Sequence, residues 1–160
     1  MFHPILKARM IQTKALFEIT LSVHQIEDLG PTPYGVRKIA AVAGGSFVGE
    51  RLRGTVRAAP GGDWLLLRSD GVLCLDVRLT LQTDDGALIY MTYKGLRHGP
   101  KDVMDRLNQG ELVDPAQYYF RTAPVFETSS DKYAWLNRAL FVATGRRESS
   151  GPIYQVFEVL

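Results

Sequence analysis

The dominant period along this chain is two residues. From Leu73 to Thr83 (LCLDVRLTLQT), Leu73, Leu75, Val77, Leu79 and Leu81 alternate with Cys74, Asp76, Arg78, Thr80 and Gln82. Successive side chains of a strand point to opposite faces, so this run predicts a strand with one apolar and one polar face. Leu16 to Val23 repeats the pattern, with Phe17, Ile19, Leu21 and Val23 on one side and Glu18, Thr20 and Ser22 on the other. Further strands are predicted over 36–43, 46–56, 64–68, 87–95, 118–128, 139–145 and 153–160. Turn signals separate them: LGPTPYG at 29–35, Gly44-Gly45, APGGD at 59–63 and Asp84-Asp85-Gly86. Gly49 and Gly54 fall inside the predicted third strand, where glycine marks a bulge, a sharp bend or the close approach of another backbone. One segment departs from the period. Pro100 to Asn108 clusters Val103, Met104 and Leu107 on one side, starts with proline and meets Gly110, which predicts one short helix near 100–109. A further turn of helix is predicted near 131–135.

About ten short strands joined by tight turns imply an all-β antiparallel sheet that folds into a sandwich or closes on itself. The strand glycines favour strong curvature, so a closed antiparallel barrel is expected. A length of 160 residues, with no composition shift or repeat, fits a single domain over 1–160 with residues 1–13 as an N-terminal extension.

Composition narrows the function. Nineteen Lys+Arg against seventeen Asp+Glu give a formal net charge of +2, and the basic residues are scattered among acids. That argues against nucleic-acid binding, which needs basic charge concentrated on one face. The single cysteine, Cys74, excludes an internal disulfide and multi-cysteine zinc sites, and its apolar surroundings predict a buried, inert thiol. His3, His24 and His98 show no ligand spacing, so no metal site is expected; His98, in a turn, is retained only as an acid–base candidate. Gly44 to Gly49 lacks the lysine and the helix of a phosphate-binding loop, and no other cofactor signature is present. No segment is long and apolar enough to cross a membrane, and the N-terminus lacks a secretory pattern, so a cytoplasmic location is expected.

The richest stretch chemically is Tyr118 to Asn137 (YYFRTAPVFETSSDKYAWLN). As a strand, one face of Tyr118–Thr128 carries Tyr119, Arg121, Ala123, Val125 and Glu127. The other carries Tyr118, Phe120, Thr122, Pro124, Phe126 and Thr128. Asp76 and Arg78, two residues apart, likewise share a face. Alternation cannot tell which face is inside. Outside, these charges form ordinary surface pairs. Inside, an arginine offers a fork of donors to a carboxylate, enolate or phenolate, and a carboxylate enclosed by aromatic rings is poised for proton transfer near neutral pH.

The chain resembles the family known as domain of unknown function 3237. The residues that carry the resemblance are Gly35-Val36-Arg37, Gly44 to Gly49 with Leu52 and Gly54, Gly62-Asp63-Trp64, Asp76-Val77-Arg78 and Asp85-Gly86. Tyr93 with Gly95, Tyr119-Phe120-Arg121, Phe126-Glu127-Thr128 and Tyr133 to Asn137 complete the pattern. The resemblance implies a lipocalin-like barrel, and an inward-facing role for Asp76, Arg78, Arg121, Glu127, Trp135 and Asn137. The function expected is then a small-molecule pocket inside the barrel. Glu127, Asp76, Arg121 and Arg78 would be its catalytic groups, and Tyr93, Tyr119, Trp135 and Asn137 its ligand-binding groups. The chemistry would be isomerisation, cyclisation or addition on a carbonyl or phenolic metabolite without a cofactor. A non-catalytic carrier of an apolar ligand and a homo-oligomerising interaction module are the alternatives.

Overall fold

The alternating runs form nine antiparallel strands: β1 (Thr13–Thr32), β2 (Gly35–Val48), β3 (Arg53–Val56), β4 (Gly62–Leu67), β5 (Leu73–Thr83), β6 (Leu88–His98), β7 (Tyr119–Glu127), β8 (Phe141–Glu148) and β9 (Gly151–Val159). The computed structural model describes residues 9–160. Of the expected extension 1–13, residues 1–8, with His3, lie outside the described residues, 9–12 are exposed, and Thr13 opens β1. Consecutive strands pair throughout except β3 and β4, which instead both bridge β2 to β5, and β1 pairs with β9 from Thr13↔Val159 to Thr20↔Ile153. The last pairing turns a meander into a ring, so the barrel expected from the sequence is the fold. Closure removes most of the free strand edge that an open sheet would expose.

The strand boundaries differ from the sequence reading around the glycines. Gly44 and Gly45 do not end the second strand; β2 runs through them, and the β1–β2 register shifts opposite, between Ser22 and Val23. A Cβ on Gly45 would lie 2.0 Å from the Thr20 carbonyl oxygen, and its φ of +154° is one that side-chain-bearing residues avoid. The glycines therefore let two strands coil tightly past each other. The predicted strand 46–56 is cut instead at Gly49–Leu52, and the broad turn predicted at 29–35 shrinks to Pro33-Tyr34, so β1 and β2 form a long hairpin.

The interior is lined by one face of each strand. Leu75, Val77, Leu79 and Leu81 of β5, Ile89, Met91 and Tyr93 of β6, Phe120 and Phe126 of β7, Phe141 of β8 and Val156 of β9 are all at most 5% exposed. Burying an aliphatic or aromatic side chain of this size contributes about 1.5–3 kcal/mol, so this lining dominates the stability. Cys74 sits on the opposite face of β5 and is half-buried rather than buried. The predicted helix forms as α1 (Lys101–Asn108), seating Val103 and Leu107 on the core between β6 and β7 and ending before Gly110, whose φ is +84°. No helix among the described residues is long and apolar enough to cross a membrane.

Candidate functional site

Burial fixes the orientation that alternation left open. In β7, Phe120, Thr122, Pro124 and Phe126 are buried, while Tyr119, Arg121, Ala123, Val125 and Glu127 are exposed. The inward placement expected for Arg121 and Glu127 is thus overturned. The physical reason is that Phe120 and Phe126 take the interior: they pack edge-on against Tyr154 and against Phe17 and Phe141, and the opposite face must then meet solvent. Arg121 donates to the Phe120 carbonyl at 2.9 Å and borders a shallow outer depression of about 330 Å³ with Thr144 and Arg146. Asp76 and Arg78 also face outward, on the side of β5 away from its leucines. They form a surface ion pair at 3.7 Å with side chains 38% and 50% exposed, a contact of little energetic weight.

The expected ligand-binding residues scatter. Tyr119 is exposed and stacks on His98 with ring centroids 4.9 Å apart. Trp135 lies under the Arg51 guanidinium, 3.5 Å from its ring centroid, and Arg51 in turn pairs with Glu158. Asn137 clamps the end of β7: its side-chain oxygen accepts the Thr128 amide and its side-chain nitrogen donates to the Thr128 carbonyl, each at 2.9 Å. Asn137→Ala is expected to cost about 0.5–1.5 kcal/mol in urea unfolding, because two exposed backbone groups exchange the side chain for water; a cost within error would show that water replaces the clamp fully. Only Tyr93 is inward-facing as expected, and it is 3% exposed.

Around Tyr93 the structure assembles a polar cluster. The register places Ala40, Asp63, Val77, Tyr93 and Pro124 side by side on the inner wall. Four residues further along β6, on the same face, comes Arg97. From the facing wall β9 contributes Tyr154, whose ring centroid is 5.2 Å from that of Tyr93 and 5.3 Å from that of Phe120. The Arg97 guanidinium lies 5.6 Å from the Phe120 ring centroid. Tyr118 and Arg147 complete the group, joined by a hydrogen bond from the Arg147 amide to the Tyr118 hydroxyl at 3.0 Å. Tyr93, Tyr118 and Tyr154 are buried, whereas Asp63, Arg97 and Arg147 keep partial contact with solvent. The cluster therefore lies just inside one mouth of the barrel.

Its electrostatics follow from that burial. Loss of water pushes the Asp63 carboxyl up to about 7; the Asp76 amide, donating to Asp63 Oδ1 at 3.0 Å, and the Arg97 charge oppose the rise, while the Asp76 carboxylate adds to it. Burial likewise raises Tyr93 and Tyr154. Arg97 is lowered, first by burial and then by the charge of Arg147. The Tyr93 and Tyr154 hydroxyls bear on each other's ionisation, yet their geometry falls short of a hydrogen bond. The Tyr154 hydroxyl and Arg97 Nε are buried without any partner. Native interiors rarely leave such groups unsatisfied. The arrangement thus presents a proton-exchanging carboxyl, two guanidinium groups and a free phenol within one aromatic-walled mouth.

The opposite end is closed. The run of tight helical turns Asp131–Arg138 seats Tyr133 and Leu136 on the core. Asp85, in the β5–β6 turn, accepts from the Tyr133 hydroxyl at 3.0 Å and from the Lys132 ammonium at 2.6 Å. These bonds, that to Lys132 first, hold Asp85 well below the usual carboxylate range. Asp85, Lys132 and Tyr133 thus satisfy one another, beside a shallow surface depression of about 230 Å³ that Arg51 and Arg53 also line.

A closed antiparallel barrel with a polar cluster inside one mouth is the class of protein these features define. The chain belongs to the family described as protein of unknown function (DUF3237), whose model matches residues 11–159. It is 36% identical over 150 residues to a UPF0311 protein of Rhodopseudomonas palustris, covering 94% of this chain and 97% of that protein. The crystal structure of that conserved protein of unknown function superposes with a TM-score of 0.91 at 35% identity, covering 96% of this chain and all of that one. A β-barrel-like protein from Acinetobacter baumannii gives 0.84 at 37% identity, covering 97% and 99%. An enzyme from Penicillium herquei gives 0.72 at 22% identity, covering 97% and 100%, a likeness that shows the fold alone.

Proposed function

We propose that this barrel binds a small organic molecule in the mouth formed by Asp63, Tyr93, Arg97 and Tyr154, and performs acid–base chemistry on it. The observation that carries the reading is the pair of buried, unpartnered donors, Arg97 Nε and the Tyr154 hydroxyl, beside a carboxyl that gives up its proton near neutral pH. Unpaired donors in a buried site are what a carbonyl or phenolic oxygen of a ligand would satisfy. A carboxyl poised near 7 is suited to take a proton from carbon or oxygen and return it, which covers isomerisation, cyclisation or addition. In that scheme Asp63 moves the proton, Arg97 and Tyr154 hold the oxygen on which negative charge develops, and Tyr93 and Phe120 set the plane of the ligand.

The test is a thermal-shift screen of cyclic ketones and phenols, followed by proton NMR of the binders in deuterated buffer. A ligand that binds only the folded chain raises its melting temperature. The expected result is that Tyr154→Phe and Arg97→Met weaken the shift. Asp63→Asn should keep it but abolish deuterium incorporation next to the carbonyl. Shifts indifferent to all three substitutions, or no shift with any compound, would place ligand binding elsewhere or nowhere. If the shift depends on Arg97 and Tyr154 but no exchange occurs in the native protein, the barrel is a carrier.

A further inference from the structure

We infer that the molecule bound in this mouth is an anion: a small, flat, carboxylate-bearing compound whose negative group lies between Arg97 and Arg147. The inference rests on the reading of the mouth as a ligand site and adds the charge of the ligand.

It comes from the partners that the arginines find. On the outside Arg51 pairs with Glu158, Arg78 with Asp76, Arg106 with Glu111, and Arg146 with both Glu18 and Glu148, while Arg37 and Arg121 donate to backbone carbonyls at 2.9 Å. Inside, among the described residues, neither Arg97 nor Arg147 forms a salt bridge. They are the two cations of the inner cluster, and they are close enough for the charge of Arg147 to bear on Arg97. Two like charges drawn together repel, and burial strips Arg97 of much of the water that would screen it. A folded protein tolerates such a pair where a third charge of opposite sign completes the site.

Among the described residues the chain does not supply that charge. Asp63, on the inner wall beside them, forms no ion pair with either, its Oδ1 is taken by the Asp76 amide, and burial raises its carboxyl to about 7, which disfavours the negative form. The Arg97 fork, with Nε buried and unpartnered, matches the two oxygens of a carboxylate. Around it the Phe120, Tyr93 and Tyr154 rings offer flat apolar walls, so the remainder of the ligand is an aromatic or conjugated body.

Matched pairs that differ only in charge provide the test: benzoate against benzamide, and 4-hydroxybenzoate against 4-hydroxybenzamide, titrated calorimetrically into the full chain. The acids are expected to bind at least about thirtyfold more tightly than the amides, the factor that follows from one desolvated charge contact. Arg97→Met and, separately, Arg147→Met should erase that preference. Because Arg97→Met removes a largely desolvated cation whose Nε has no partner, that unliganded variant should unfold no earlier than the native protein. Acid and amide binding alike, or neutral phenols and ketones binding where the acids do not, would overturn the charge assignment while the ligand site stands. If neither acids nor neutral probes bind, both readings fall together.

Discussion

Replacing Asp63 by asparagine is expected to stabilise the protein at pH 8 and leave it unchanged at pH 4. The folded chain holds the Asp63 proton up to about pH 7, whereas the unfolded chain releases it near 4. Between these values the folded state binds the extra proton, so raising the pH withdraws stability, and above 7 the deficit is complete. A displacement of that size corresponds to on the order of 4 kcal/mol, of which asparagine avoids the ionic part. Asparagine keeps an oxygen for the Asp76 amide, so the one hydrogen bond to Asp63 survives. For a domain of this size the gain corresponds to roughly 5–15 °C in melting temperature at pH 8, shrinking to nothing at pH 4. A loss of stability at pH 8 would mean that Asp63 is ionised and paired in the fold, and the proton-transfer role given to it would fall with that result. Stability gained by removing an ionisable charge is what a site held for binding rather than for folding should show.

The second large effect concerns the seam between β3 and β5. Gly54→Ala is expected to lose about 3 kcal/mol or more, read as a drop in the urea midpoint. A Cβ there would lie 2.0 Å from the Gln82 carbonyl oxygen and 2.8 Å from the Thr83 Cα. Both are backbone atoms, so relief requires moving a strand rather than rotating a side chain. Gly71→Ala makes the contrast: its Cβ would meet nothing within 4 Å, and only its φ of +85° resists. A cost of about 1 kcal/mol is expected at that position. Equal costs at the two positions would show that backbone conformation, not strand approach, governs the glycines.

The barrel was legible because its signal is repeated. Leu73–Thr83 and its hairpin partner alternate without a fault, the Asp84-Asp85-Gly86 turn is where it was expected, and the helix at 101–108 is set by Pro100, its apolar stripe and Gly110. The strand ends near Gly44 and Gly49 were not legible. A glycine reads the same whether it stops a strand or lets another backbone press against it, and the difference lies in a contact with β1 about 25 residues away. Orientation of the charged strand faces failed for a related reason. Period two gives two faces but no inside, and the inside of β7 was decided by which face met Phe17, Phe141 and Tyr154, all distant in sequence. The signal for the inner cluster was present and unread: Tyr93 and Arg97 share a face with Ile89 and Met91, and Asp63 belongs to the Gly62-Asp63-Trp64 motif. What the sequence could not reveal is that Asp63, Arg97, Arg147 and Tyr154, from four different strands, converge.

The ring of nine strands has one seam unlike the others. All the other pairings join segments that follow closely in the chain, but β1 can meet β9 only after everything between them has been made. During synthesis on the ribosome the opening strand therefore waits, with Phe17, Ile19 and Leu21 already turned toward a core whose final wall has not emerged. Until β9 arrives, the outer margin of β1 and the free side of β8 stay available to the margins of other nascent copies. The same late-arriving strand brings Tyr154, so the mouth acquires its unpartnered phenol only when the seam closes, and a chain still open at β9 has no assembled site to occupy.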